Sequence, residues 1–291
     1  MQKVIYVPPW DTLGGEDNVI LHFGEPVILG TVSGTSGTDV NIISSKIPGM
    51  DGEYLHDVKL ESGEIKAQVN VYGTDRREMY ENRFKLIRCL TAKSSPGTVY
   101  YYNDYISAKI GAIPQSSPKF TDRVRNYNEA DITFFTPNPH WESLDERIVK
   151  IAWVGNEFEF PIAIEPTMQF GVIKSKETVI INAALNTSII ITITAPATNP
   201  IIIRNNTTGQ VIELERDLTE NEQLIINTKR SNKSVTLVHN DGTREDAFHY
   251  ITPDSELFEL VPGANELEYI NWDENEPTRV VIAFHELYSG V

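Results

Sequence analysis

The chain has 291 residues, with 25 lysines and arginines against 41 aspartates and glutamates, and a formal net charge of -16. That length suffices for two domains with cores of their own, and the acidic balance argues against binding nucleic acid phosphates. A single cysteine, Cys89, excludes a disulfide within the chain, which reads as one folded in a reducing cytoplasm.

The N-terminus, M-Q-K-V-I-Y-V-P-P-W, is interrupted by Pro8 and Pro9 before the apolar core of a signal peptide can form. Leu13-Gly14-Gly15-Glu16 lacks the lysine and the following helix of a phosphate-binding loop. Ser33 to Gly37, S-G-T-S-G, has the wrong spacing for a nucleophile elbow and reads as a flexible loop. From Ile43 to Gly52 the pairs Pro48-Gly49 and Asp51-Gly52, without periodicity around them, predict a long loop. Long ordered loops are usually interaction surfaces, which singles out Pro48, Gly49, Met50 and Asp51.

Ile65, Ala67, Val69 and Val71 alternate with polar residues, the period of a half-buried strand. A helix is expected from about Asp75 to Thr91, capped by Thr74 or Asp75, with Tyr80, Phe84, Ile87 and Leu90 as its buried stripe. Arg76, Arg77, Arg83, Lys85 and Arg88 leave the rest of that helix basic. The ordinary reading is a solvated face, and the alternative is a charged contact with a partner subunit. Strands at Val99–Ile106 and Ile132–Phe135 complete an N-terminal α+β domain over residues 1–147.

Beyond it, residues 148–291 hold short strand candidates separated by Gly, Asn and Pro turns, the pattern of a β-sandwich or jelly roll. They are Ile148–Val154, Val179–Asn182, Ile189–Thr194, Ile201–Arg204, Val211–Leu214, Leu224–Asn227, Val235–Val238, Phe258–Val261, Leu267–Asn271 and Val280–Phe284. The apolar run Ser188–Ile203 is broken by Pro196 and Pro200 and cannot form the roughly 20-residue helix that spans a bilayer. Ten basic and 21 acidic residues follow position 147, so this half carries -11 of the -16. That charge keeps a strand-rich domain from associating edge to edge.

Catalytic and metal patterns are weak throughout. The six histidines include no H-E-x-x-H, and His239 with Asp241 falls short of a metal cage. Glu157 and Glu159 would share one strand face, and glycoside hydrolysis uses two carboxylates, yet Phe158 and Phe160 explain the alternation as inside-outside patterning. Glu213, Glu215 and Asp217 form a similar solvated rank, and Cys89 reads as a packed thiol. Trp153 reads as core, whereas Trp272 at a strand end is a candidate glycan contact.

Two turn motifs stand out near the C-terminus: N-P-I-I-I-R-N-N-T-T-G, Asn199 to Gly209, and E-L-V-P-G-A-N-E-L, Glu259 to Leu267. Their order resembles the C-terminal domain of siphophage distal tail proteins. The N-terminal half is similar to the same family in I-P-G-M-D-G-E-Y ahead of a strand, G-T-D-R-R-E-M-Y-E-N-R-F-K-L-I-R-C-L over the helix, and D-I-T-F-F-T-P-N-P-H-W at the domain exit. The resemblance implies a split-barrel-like N-terminal domain, a galectin-like C-terminal sandwich and a non-enzymatic role without cofactors. It further implies a hexameric ring in a virion tail tip, made in the bacterial host cytoplasm and joining the tail tube protein to tail-associated and receptor-binding proteins. Arg76, Arg77, Arg83 and the loop at Pro48–Asp51 are then the candidate faces between subunits. The alternative is a cell-wall carbohydrate-binding module on a baseplate scaffold.

Overall fold

The computed structural model describes residues 2–22, 26–91, 95–121, 126–155, 172–270 and 278–291. The chain divides into two compact units, Met1–Leu144 with Tyr288–Val291, and Asp145–Leu287. It is mainly β, and among the described residues it has one α-helix.

The first unit contains β1 (Lys3–Val7), β2 (Val19–Leu21), β3 (Val27–Ser33), β4 (Val40–Ser45), β5 (Tyr54–Leu60), β6 (Gly63–Tyr72), α1 (Arg76–Cys89), β7 (Gly97–Tyr102), β8 (Ser107–Pro114), β9 (Lys119–Phe120), β10 (Tyr127–Thr136) and β11 (Trp141–Ser143). Its main sheet runs β2-β1-β7-β8-β10-β6-β3, antiparallel throughout. The alternation read at Ile65–Val71 is the inward face of β6, and β10 pairs with β6 along its whole length.

Asp75 caps α1 by accepting the Glu78 N–H at 2.9 Å, while the Glu78 carboxylate accepts the Thr74 N–H at 2.6 Å. This reciprocal cap fixes where the helix starts. The stripe that α1 buries is Met79, Leu86, Cys89 and Leu90, the last three joining Val69, Val71 and Ile132 in the core. The expected stripe of Tyr80, Phe84, Ile87 and Leu90 is therefore corrected. Tyr80 and Phe84 are exposed, and only Leu90 is shared between the two sets. The helix has apolar residues along two adjacent lines, and spacing alone does not say which line meets the sheet.

The loop read at Ser33–Gly37 is held by the end of the chain. Val291 N–H donates to the Thr35 carbonyl at 2.9 Å, and a Cβ on Gly290 would lie 2.4 Å from the Ser36 carbonyl carbon. Only glycine fits there.

The second unit contains β12 (Arg147–Gly155), β13 (Val172–Lys174), β14 (Lys176–Ile181), β15 (Ile190–Thr194), β16 (Ile201–Asn205), β17 (Val211–Leu214), β18 (Gln223–Asn227), β19 (Ser234–Val238), β20 (Arg244–Asp246), β21 (Gly263–Ile270) and β22 (Arg279–Phe284). They form a seven-stranded sheet, β13-β12-β22-β15-β18-β19-β20, and a four-stranded sheet, β14-β21-β16-β17. Each sheet buries alternate residues, Ile191, Ile193, Leu224 and Ile226 on one and Ile201, Ile203, Leu267 and Tyr269 on the other. That is the signature of sheets with one covered face. Phe258–Val261 is corrected from a strand to irregular chain with one bridge, Leu260 to Thr187.

The two turn motifs meet in space. Strands β16 and β21 are neighbours, and the fully buried Asn205 donates from Nδ2 to Oδ1 of the fully buried Asn265 at 3.2 Å. Asn265 also accepts the Val261 N–H at 3.0 Å and donates to the Val261 carbonyl at 2.7 Å. Asn205 accepts the Thr207 N–H at 3.0 Å, and Thr207 Oγ1 accepts the Glu266 N–H at 2.9 Å. One amide organises each turn, and the pair locks the turns together. Asn265→Ala leaves the Val261 backbone groups and the Asn205 amide buried without these partners. A loss of about 2 kcal/mol or more in chemical denaturation is expected; a change below about 0.5 kcal/mol would contradict the clasp.

Candidate assembly surface

Strands β4 and β5 pair only with each other and stand apart from the main sheet. The segment read as a long loop is therefore corrected: Ile43 to Gly52 is the end of β4 and the tip of a hairpin arm. At the tip, Met50 N–H bonds to the Ile47 carbonyl at 3.2 Å, with Pro48 in the first central position and Gly49 at φ +82 in the second. This is the residue order a type II turn requires. Pro48, Gly49, Met50 and Asp51 thus crown the arm, and Met50 is 69% exposed.

The register decides which side chains share a face. Val40 lies opposite Leu60, Ile42 opposite Val58 and Ser44 opposite Leu55, with a shift at His56. One face is therefore almost wholly apolar, Val40, Ile42, Leu55, Val58 and Leu60 with Ser44 the exception, while Asn41, Ile43, Ser45, Tyr54, Asp57 and Lys59 mark the other. The pattern is that of a strand pair with one covered face, but here that face stays about half exposed among the described residues. Ile42 is 62% exposed, Leu55 and Val58 are more than half exposed, and no arm residue belongs to the first unit's core. The arm keeps its shape through local bonds: His56 Nε2 to Ser45 Oγ at 2.7 Å, Lys59 to Asp57 at 3.2 Å, and a Ser44–Glu53 hydrogen bond. A hydrogen bond from the Val58 N–H, aided by Lys59, holds the Asp57 carboxyl below its ordinary range.

On α1 the outward line is Arg76, Tyr80 and Phe84, spaced by four residues, with Phe84 68% exposed. Arg77 lies beside it and pairs with Glu81 at 2.9 Å. Arg83 belongs elsewhere. Its guanidinium sits 4.1 Å from the centre of the Phe120 ring and donates to Asn128 Oδ1 at 3.2 Å, so it fastens the helix to β9 and β10. The sequence grouped three arginines; the structure leaves Arg76 and Arg77 outward and turns Arg83 inward.

The other candidates resolve differently. Asp11 accepts the N–H groups of Thr12 and Asp17 at 2.8 and 3.0 Å, which makes Leu13–Glu16 a hydrogen-bonded turn. The His239 side chain makes its hydrogen bonds to carboxylates other than Asp241. It bridges two carboxylates, Glu222 at 3.0 Å from Nδ1 and Glu245 at 3.0 Å from Nε2, and Arg216 joins both. Hydrogen bonds donated to Glu222 and then to Glu245 raise the His239 pKa. Burial pushes Glu222 up, but bonds from Thr219 and His239 and the Arg216 charge outweigh it and hold this carboxyl low. Among the described residues no group of three or more His, Cys, Asp or Glu is placed to hold a metal ion. No helix among them is long and apolar enough to cross a membrane. Trp272, Glu157 and Glu159 lie outside the described residues, as does the side chain of Trp153.

Residues 28–136 match the family described as phage tail protein RIFT-related domain, and residues 182–288 match the siphovirus-type tail component, C-terminal domain. The chain belongs to the siphovirus distal tail proteins. Both halves carry a domain of such a tail component, in the order the sequence motifs suggested. The crystal structure of the SPP1 Dit (gp 19.1) protein, a hub of the adsorption apparatus in phages infecting Gram-positive bacteria, shares the fold. Its TM-score is 0.68 at 11% identity, with 99% of each chain covered. The phage P2 baseplate in its activated conformation with Ca contains a chain matching at TM-score 0.52 and 13% identity, over 97% of each chain. The same baseplate with Sr matches at TM-score 0.52 and 13% identity, over 96% of this chain and 97% of that one. No curated protein gives a significant sequence match.

With its apolar side chains exposed among the described residues, the arm contributes little to the fold of the isolated chain. Ile42→Ala is expected to cost less than about 1 kcal/mol, the scale of one cross-strand pair. Leu86→Ala in the core is expected to cost about 2–5 kcal/mol. Denaturation of dilute, monomeric protein checks this, and an equal cost for the two variants would mean that the arm is buried within its own chain.

Proposed function

We propose that this tail component is a non-enzymatic structural hub of the tail tip, a hexameric ring joining the tail tube to the tail-tip or receptor-binding proteins. The carrying observation is the amphipathic arm β4–β5, whose apolar face is exposed among the described residues. A contiguous exposed apolar face of this kind marks a protein interaction site. The shared fold with the SPP1 hub protein supports the same reading. In this account residues 1–147 build the ring and residues 148–291 form a peripheral sandwich. Arg76, Arg77 and the tip Pro48–Asp51 lie at subunit contacts. A closed ring of identical subunits needs a heterologous contact, one face of a protomer against a different face of the next. The arm and the outward line of α1 are two such different faces.

Light scattering of the purified protein, with negative-stain imaging of the same peak, tests the reading. The expected particle is near 200 kDa, about six times the 32.8 kDa chain, with a central hole. A chain that stays monomeric both alone and with its tail tube protein would contradict it.

A further inference from the structure

We infer that the apolar face of the β4–β5 arm on one copy lies along the outward face of α1 on the next copy. The inference rests on the ring reading above and adds which surface meets which. Arm against arm would be an isologous pairing that closes at two copies, so a ring requires the arm to find a different surface.

The outward face of α1 fits in three respects. Its centre is apolar where the arm is apolar: Tyr80 and Phe84 are exposed aromatics on one line, and aromatic side chains are the commonest anchors of protein interfaces. Its length matches as well. A helix of 14 residues spans about 21 Å, and the seven-residue strand β5 spans about 23 Å. One pair of opposite charges is available, Asp51 at the arm tip and Arg76 at the start of the helix. Arg76 and Lys85 have no ion pair among the described residues, and the same holds for Asp51 at the arm tip. The arm, Val40 to Leu60, supplies enough chain for one side of a standard interface, roughly 20–30 residues.

Two single-cysteine variants, Ile42→Cys on the arm and Phe84→Cys on the helix, test this without touching the core. Native Cys89 is fully buried and stays silent. The variants are mixed before assembly and treated with a short bismaleimide linker, and the sample is imaged in parallel. A cross-linked dimer at least tenfold more abundant in the mixture than in either variant alone is expected. Tyr80→Cys, on the same helix line, should reproduce it. Ring particles without the 42–84 cross-link, or a 42–42 cross-link within the arm variant alone, would overturn this pairing while leaving the ring reading intact. Absence of any assembled particle from the unsubstituted chain, both alone and with the tail tube protein, would overturn both.

Discussion

The apolar face of the strand pair β4–β5 stays about half exposed among the described residues. Alternating apolar residues on a strand stabilise only when the apolar face is removed from water, and the other long strands of the first unit obey that rule. Strand β6 buries Ile65, Ala67, Val69 and Val71, and β10 buries Ala130, Ile132 and Phe134. The arm has the same patterning and leaves Val40, Ile42, Leu55 and Val58 in solvent. An isolated two-stranded hairpin is marginal in water at best. Such a face is also an aggregation hazard unless a specific partner takes it.

Magnitudes explain why a ring suits this arm better than a simple pair. Fully burying one aliphatic side chain contributes about 1.5–3 kcal/mol, and these four are already about half buried, which leaves roughly 3–6 kcal/mol in all. Association costs an estimated 4–15 kcal/mol or more in lost freedom and ordering. A single arm contact is therefore weak. In a closed ring every protomer gives an arm and receives one, and the last contact forms with both partners already held in place. The aromatic line on α1 adds apolar area of its own.

Much of this architecture could be read from the residues, and the failures share one cause. The Asn205 and Asn265 turns were legible because glycine, proline and asparagine punctuation is local chemistry. That the two amides bond each other across sixty positions is a tertiary fact. The strand at Ile65–Val71 was legible from its period alone. The helix was legible in extent, but its buried line was not, because Met79 and Leu86 compete with Tyr80 and Phe84 for the same role. The arm was missed for a related reason. Val40 and Ile42 before the turn, and Val58 and Leu60 after it, alternate as strands should, while Pro48-Gly49 and Asp51-Gly52 drew the reading toward a loop. The outward line of α1 and the exposed face of β4–β5 are the two surfaces that the proposed ring would cover.

The most direct test is amide hydrogen exchange compared between monomeric and assembled protein. The account predicts strong new protection in peptides covering Val40–Leu60 and Arg76–Lys85 on assembly. The sandwich strands of the second unit should exchange alike in both states. An assembled ring in which Val40–Leu60 exchanges as fast as in the monomer would contradict the claim that another copy covers the arm.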